Sequence, residues 1–125
     1  ASVYANLLLK RLESLETPVY LVNTGWTGGA YGKGGARFPI PVTRSIISAI
    51  LNDEVHRAEK ENYPGFNFAI PKQLPNIEAS LLNTKDSWKD KTSFYEMAKT
   101  LIEQFKLNFS RFEVSPEIEN AGPKS

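Results

Sequence analysis

The stretch NTGWTGGAYGKGGARFPIP (residues 23–41) carries six glycines between a short apolar run and a segment of helical periodicity. A strand, a glycine-rich loop and a helix, in that order, is the usual layout of a phosphate cradle. Spacing tests that reading. A P-loop has a glycine, four residues, then Gly-Lys and a hydroxyl residue. With Gly32-Lys33 as its centre, the first position is Thr27 and the last is Gly34, so both ends fail. The dinucleotide pattern fails too, because Gly32 and Gly34 would need a third glycine where Arg37 stands. Alone, the loop is not a self-sufficient phosphate site.

Its simplest reading is a mobile surface connection. Charge argues for more. No acid lies between Thr17 and Asn52, whereas Lys33, Arg37 and Arg44 do, on a chain whose net charge is +1. Arg37, Thr43 and Arg44 also stand at the entry of a helix, where backbone N–H groups and the dipole favour anions.

Outward from the loop, VYLVNT (19–24) is short, apolar and β-branched, as in a buried strand. Before it, residues 1–16 place Tyr4, Leu8, Leu12 and Leu15 on one helical stripe, with Ser2 as a candidate cap. The chain thus opens directly in a helix and without methionine, which reads as a start inside something longer. After the loop, Pro39 and Pro41 delay a helix expected over 43–53, with Ile46, Ile47, Ile50 and Leu51 on its apolar face. A polar run, EVHRAEKENY, leads to a Pro64-Gly65 turn and then FNFAIP, an extended segment or short strand. KQLPNIEASLLNTKD reads mostly as loop. Over 86–112, Phe94, Ala98, Leu101, Phe105, Phe109 and Phe112 recur at helical steps, an aromatic seam expected to be core. The tail SPEIENAGPKS is expected to be loosely held. These elements predict an α/β fold with a thin sheet and long amphipathic helices.

Composition bounds the function. The 125 residues suffice for one domain, and 41% hydrophobic with 23% charged residues is ordinary for a soluble globular chain. The balanced charge gives no reason to invoke nucleic acid or membrane. Without cysteine there are no disulfides or thiolate metal sites, which favours a reducing compartment. No run is apolar enough for a membrane span, and no signal peptide is visible, so a cytoplasmic location is expected.

At NTGWTGG, followed by Arg37 and by Thr43-Arg44 leading Ile46-Ile47 and Ala49-Ile50, the chain resembles ATP-dependent phosphoenolpyruvate carboxykinase. The likeness continues through FNFAIPKQLP, the aromatic helix and the terminal AGPKS, and so spans essentially the whole chain. It implies that residues 1–125 are the C-terminal portion of the nucleotide-binding domain of an α/β enzyme. That enzyme turns oxaloacetate and ATP into phosphoenolpyruvate, ADP and carbon dioxide, in gluconeogenesis. It further implies magnesium with the nucleotide and manganese at the active site. Arg37, Phe38 and Thr43 match nucleotide contacts of the family. A guanidinium plane suits a purine face, and a hydroxyl suits a ring edge.

Two departures stand out. Ala36 occupies a position that is often basic in the family, and Phe38 points to a contact through backbone. More is missing than altered. The family's N-terminal domain, P-loop, metal ligands (a lysine, a histidine and an aspartate) and carboxylate-binding arginines all precede this segment. The resemblance therefore implies no catalytic and no metal-binding residue here, a chain inactive alone, and the remainder of the enzyme as its partner.

Other candidates are weaker. His56 reads as a lone surface histidine, because no second base or carboxylate is placed beside it. Ser45 and Ser48 lie on a helix without a nucleophile elbow. Asp86, Asp90 and Glu96 fall on the solvated face of the aromatic helix. Two further readings stay open: an independent small nucleotide- or partner-binding module without catalysis, and a structural piece with no ligand.

Overall fold

The computed structural model of the protein describes residues 2–63 and 65–124. Ala1, the Ser2 side chain with its expected capping role, Pro64 of the Pro64-Gly65 turn and Ser125 of the terminal AGPKS lie outside the described residues. Helix α1 (Ser2–Leu15) forms as its periodicity predicts. Its stripe is not core: Tyr4, Leu7, Leu8 and Leu15 are all exposed.

The expected strand at 19–24 is absent, and this stretch has no regular secondary structure and no ladder partners. A strand must hand its N–H and C=O groups to a neighbour, and among the described residues no strand lies beside it. Val19 and Leu21 remain exposed. The strands form elsewhere. The glycine-rich segment itself folds as an antiparallel hairpin of β1 (Trp26–Thr27) and β2 (Ala36–Arg37), pairing Trp26 with Arg37 and Thr27 with Ala36.

Helix α2 (Ile40–Leu51) starts three residues before the expected 43. Pro39 occupies the N-cap position and Pro41 lies in the first turn, where a missing N–H removes no helical bond. The prolines therefore begin the helix rather than delay it. Asp53, left-handed at φ 61°, separates α2 from the single turn α3 (Glu54–Arg57).

The polar run conceals a strand. Strand β3 (Lys60–Tyr63) pairs antiparallel with β4 (Phe68–Pro71), from Lys60 opposite Pro71 to Tyr63 opposite Phe68. Within the segment read as loop, Leu74 and Ile77 form a bridge, and two short helices follow, α4 (Ala79–Leu82) and α5 (Thr84–Ser87). Helix α6 (Lys91–Phe109) is shorter than the expected 86–112. Asp90 sets its start, the carboxylate accepting from the Thr92 N–H at 2.9 Å.

The tail is held more firmly than its composition suggests. Ser115 caps α7 (Pro116–Ala121), with Pro116 in the first turn. The Lys124 N–H donates to the Gly65 carbonyl at 2.9 Å, and the Asn67 amide donates to the Ala121 carbonyl at 3.0 Å. The architecture is thus mixed, with helices and two separate two-stranded sheets. Ala49, Val55, Leu74 and Ile77 form the buried cluster, surrounded by Tyr20, Val42, Ile46, Ile50, Ala58 and Leu82. That cluster fixes α2, and with it the exit of the glycine hairpin.

Candidate functional site

The hairpin closes tightly for a reason specific to glycine. A Cβ on Gly35 would sit 2.2 Å from the Gly29 carbonyl oxygen, and one on Gly29 would sit 2.8 Å from the Gly35 nitrogen. The two arms touch backbone to backbone, a distance no side chain permits. Gly29 is accordingly buried.

Both ends of the hairpin are tied. Asn23 Oδ1 accepts from the Gly25 N–H at 2.9 Å, while its amide donates to the Trp26 carbonyl at 3.2 Å. The Phe38 N–H donates to the Gly25 carbonyl at 2.8 Å. The Trp26 and Tyr31 rings meet edge to face, centroids 4.9 Å apart. A third tie comes from far along the chain. Ser87 Oγ accepts from Thr27 Oγ1 at 3.0 Å and from the Gly28 N–H at 3.1 Å, and donates to the Thr84 carbonyl at 2.7 Å.

The three residues matched to nucleotide contacts occupy one continuous stretch. Arg37 ends β2 with an exposed side chain. The ion pairs among the described residues are Arg57–Asp53, Lys72–Glu59 and Lys91–Asp86, so Arg37 belongs to none. Phe38 is buried at 3% exposure, and its N–H is already spent. Thr43 lies half-buried in the first turn of α2, its hydroxyl donating to the Pro39 carbonyl at 3.4 Å. Arg44 and His56 are exposed. Among the described residues, no group of three or more His, Cys, Asp or Glu could hold a metal ion.

Sequence reasoning missed Ser87 and Asn23 as parts of this site. Asn23 had a signal, since Asn followed two residues later by glycine is the setting of an Asx turn. Ser87 had none, because sixty residues separate it from Thr27. Beside the joint, a groove of about 550 Å³ runs between the segment before the hairpin and α6, lined by Leu21, Trp26, Phe66, Phe68, Trp88 and Met97 among others.

Helices and small strands around a backbone-closed glycine hairpin, ending in an arginine without an ion pair among the described residues, describe an α/β-like unit. The comparisons are specific. A family model described as phosphoenolpyruvate carboxykinase matches residues 1–80, and the chain belongs to that family. Phosphoenolpyruvate carboxykinase (ATP) of Caldanaerobacter subterraneus subsp. tengcongensis is 44% identical over 123 residues, covering 98% of this chain and 23% of that protein. The enzymes of the same name from Brucella suis biovar 1 and Campylobacter jejuni subsp. jejuni serotype O:23/36 are 42% and 44% identical, over 23% and 24% of their lengths. The chain thus spans about a quarter of the length of the curated relatives it matches. Among the described residues, no helix is long and apolar enough to cross a membrane.

Proposed function

We propose that the chain is the C-terminal portion of the nucleotide-binding domain of a cytoplasmic ATP-dependent phosphoenolpyruvate carboxykinase. Its N-terminal domain and P-loop region would lie outside these 125 residues. The complete enzyme would convert oxaloacetate and ATP to phosphoenolpyruvate, ADP and carbon dioxide. Magnesium and manganese would be held by ligands elsewhere in the enzyme. On this reading the chain alone has no turnover, and its part is to contact the adenine nucleotide.

The observation that carries the reading is Arg37, an exposed guanidinium without an ion pair among the described residues, at the end of a hairpin whose arms lie in backbone contact. A planar cation held at a defined height can stack on a purine and offset part of the nucleotide's charge. Phe38 has its ring buried and its N–H bonded to Gly25, which leaves its carbonyl as the group it can present. Thr43 donates its hydroxyl proton to Pro39, so toward a ligand its oxygen is an acceptor. Two acceptors beside a planar cation suit the exocyclic amine of adenine.

Substitution of Arg37 tests this. In the complete polypeptide, Arg37→Ala should raise the ATP requirement roughly tenfold to a hundredfold, as loss of about 1–3 kcal/mol implies, and affect oxaloacetate less. Arg37→Lys should recover only part, keeping the charge but losing the plane. Arg44→Ala should matter less. An unchanged ATP dependence in Arg37→Ala, with ATP lost in Arg44→Ala, would sink the assignment.

A further inference from the structure

We propose that Ser87 is a positioning residue for the nucleotide site, setting the seat of the glycine hairpin on the α5 turn. The inference rests on the nucleotide reading of Arg37, Phe38 and Thr43 given above. Its own ground is the geometry of one hydroxyl. Ser87 Oγ has one proton and two lone pairs, and all three are engaged: the proton by the Thr84 carbonyl, the lone pairs by the Thr27 hydroxyl and the Gly28 N–H. The group therefore has one orientation. Thr27, its partner, is buried at 9% exposure.

The backbone of Ser87 makes a second contact. A Cβ on Gly28 would lie 3.2 Å from the Ser87 carbonyl oxygen, and Gly28 itself is left-handed at φ +74°. So hairpin and turn approach too closely at Gly28 for a relaxed side chain and are joined by a hydroxyl at the same residue, Ser87. From Thr27 the constraint passes directly across the ladder, because Thr27 pairs with Ala36 and the neighbouring Trp26 pairs with Arg37. Ser87 touches no reacting group in this arrangement. Its role is to fix the height at which β2 delivers Arg37 and at which Phe38 enters α2.

The test is steady-state kinetics and ATP binding in the complete carboxykinase polypeptide carrying this segment, with Ser87→Ala, Ser87→Thr and Thr27→Val. Ser87→Ala removes both acceptor bonds and should raise the KM and Kd for ATP about tenfold, within the range expected for lost hydrogen bonds. The KM for oxaloacetate should stay within about twofold, on the ordinary spread of independent sites. Ser87→Thr keeps the hydroxyl and should restore most ATP affinity. Thr27→Val, nearly isosteric, removes one bond and should give a smaller change of the same kind, which keeps the test informative if Ser87→Ala does not fold. Equal loss for both substrates, or unchanged ATP binding in the folded variants, would overturn the proposal. Arg37→Ala run in parallel separates the two failures. If Arg37→Ala weakens ATP and the Ser87 and Thr27 variants do not, the positioning role alone falls. If Arg37→Ala is also silent, the nucleotide reading falls with it.

Discussion

The glycine hairpin and helix α6 exchange the characters that their compositions suggest. The hairpin, with glycine at every few positions, should be the loose part. Instead Gly29 and Gly35 bring its arms into backbone contact, and Thr27 and Phe38 are buried on either side. Helix α6 carries the longest apolar stripe of the chain and should be the core. Instead Phe105 is 51% exposed, and Leu101, Met97 and Phe109 are exposed with it, while Ile102 alone is buried. The difference lies in partners. A stripe is buried only by what stands opposite, and glycine packs closely wherever backbone itself is the opposing surface.

That contrast can be broken by substitution. The largest effect should come from Gly35→Ala, whose Cβ would meet the Gly29 carbonyl at 2.2 Å. No side chain can turn aside to relieve this, so urea denaturation should show a loss of at least about 4 kcal/mol. A variant of near wild-type stability would mean that the arms are not in contact.

Next in size are two truncations on α6. Ile102, 8% exposed and lying under Gly65, should lose roughly 3 kcal/mol as Ile102→Ala. Phe105→Ala in the 125-residue chain should lose less than about 1 kcal/mol, because half of the ring is already in water. Equal denaturation midpoints for the two would erase the distinction between stripe and core. The seam as a whole was expected to be buried, so Phe105 marks where that expectation departs from the structure.

Tyr63 gives an effect smaller than that of Ile102, with a pH signature. Burial raises its phenol above the ordinary 10.0, and the hydrogen bond with the Thr84 hydroxyl, 2.7 Å long, only partly opposes this. A raised folded pKa means that the native state holds the proton more tightly. The stabilisation is complete below the ordinary value and lost as pH rises through the folded one. Tyr63→Phe should cost about 1 kcal/mol at neutral pH for the lost bond, and should flatten the alkaline decline measured by denaturation. The smallest effect belongs to Asp90, whose carboxyl is held below its ordinary 3.8 by the Ser93 hydroxyl, then by the Ser93 and Thr92 N–H groups. Its stabilisation is present above that value and fades as pH falls through the folded one. Asp90→Ala should slightly lower helix content by circular dichroism, and the difference from wild type should vanish in acid.

Helices were the legible part of the fold, because a 3.6-residue period is written locally in α1, α2 and α6. Their ends were less so: Pro39 and Pro41 read as delays, yet a proline in the first turn is a start. Strand β3 was hidden by KENY, whose residues pair with β4 while mostly facing water, so no alternation announced it. The strand expected at 19–24 failed for the opposite reason, having the apolar composition and no neighbour. At the candidate site, Arg37, Phe38 and Thr43 are singled out through the pattern around NTGW, which is contiguous. Ser87 could not be found so, because only folding brings it to Thr27.

The joint between Thr27 and Ser87 also places the hairpin in time. Closing a loop of sixty residues requires on the order of 3–4 kcal/mol of chain entropy before its hydrogen bonds return anything. Translation reaches Ser87 sixty residues after Thr27, roughly 3–12 s later at ordinary ribosomal speed. For that interval the glycine segment leaves the ribosome without its anchor, and it seats only when one of the last helical turns before α6 has been made. The contact between Thr27 and Ser87 is therefore made late relative to synthesis of the hairpin itself.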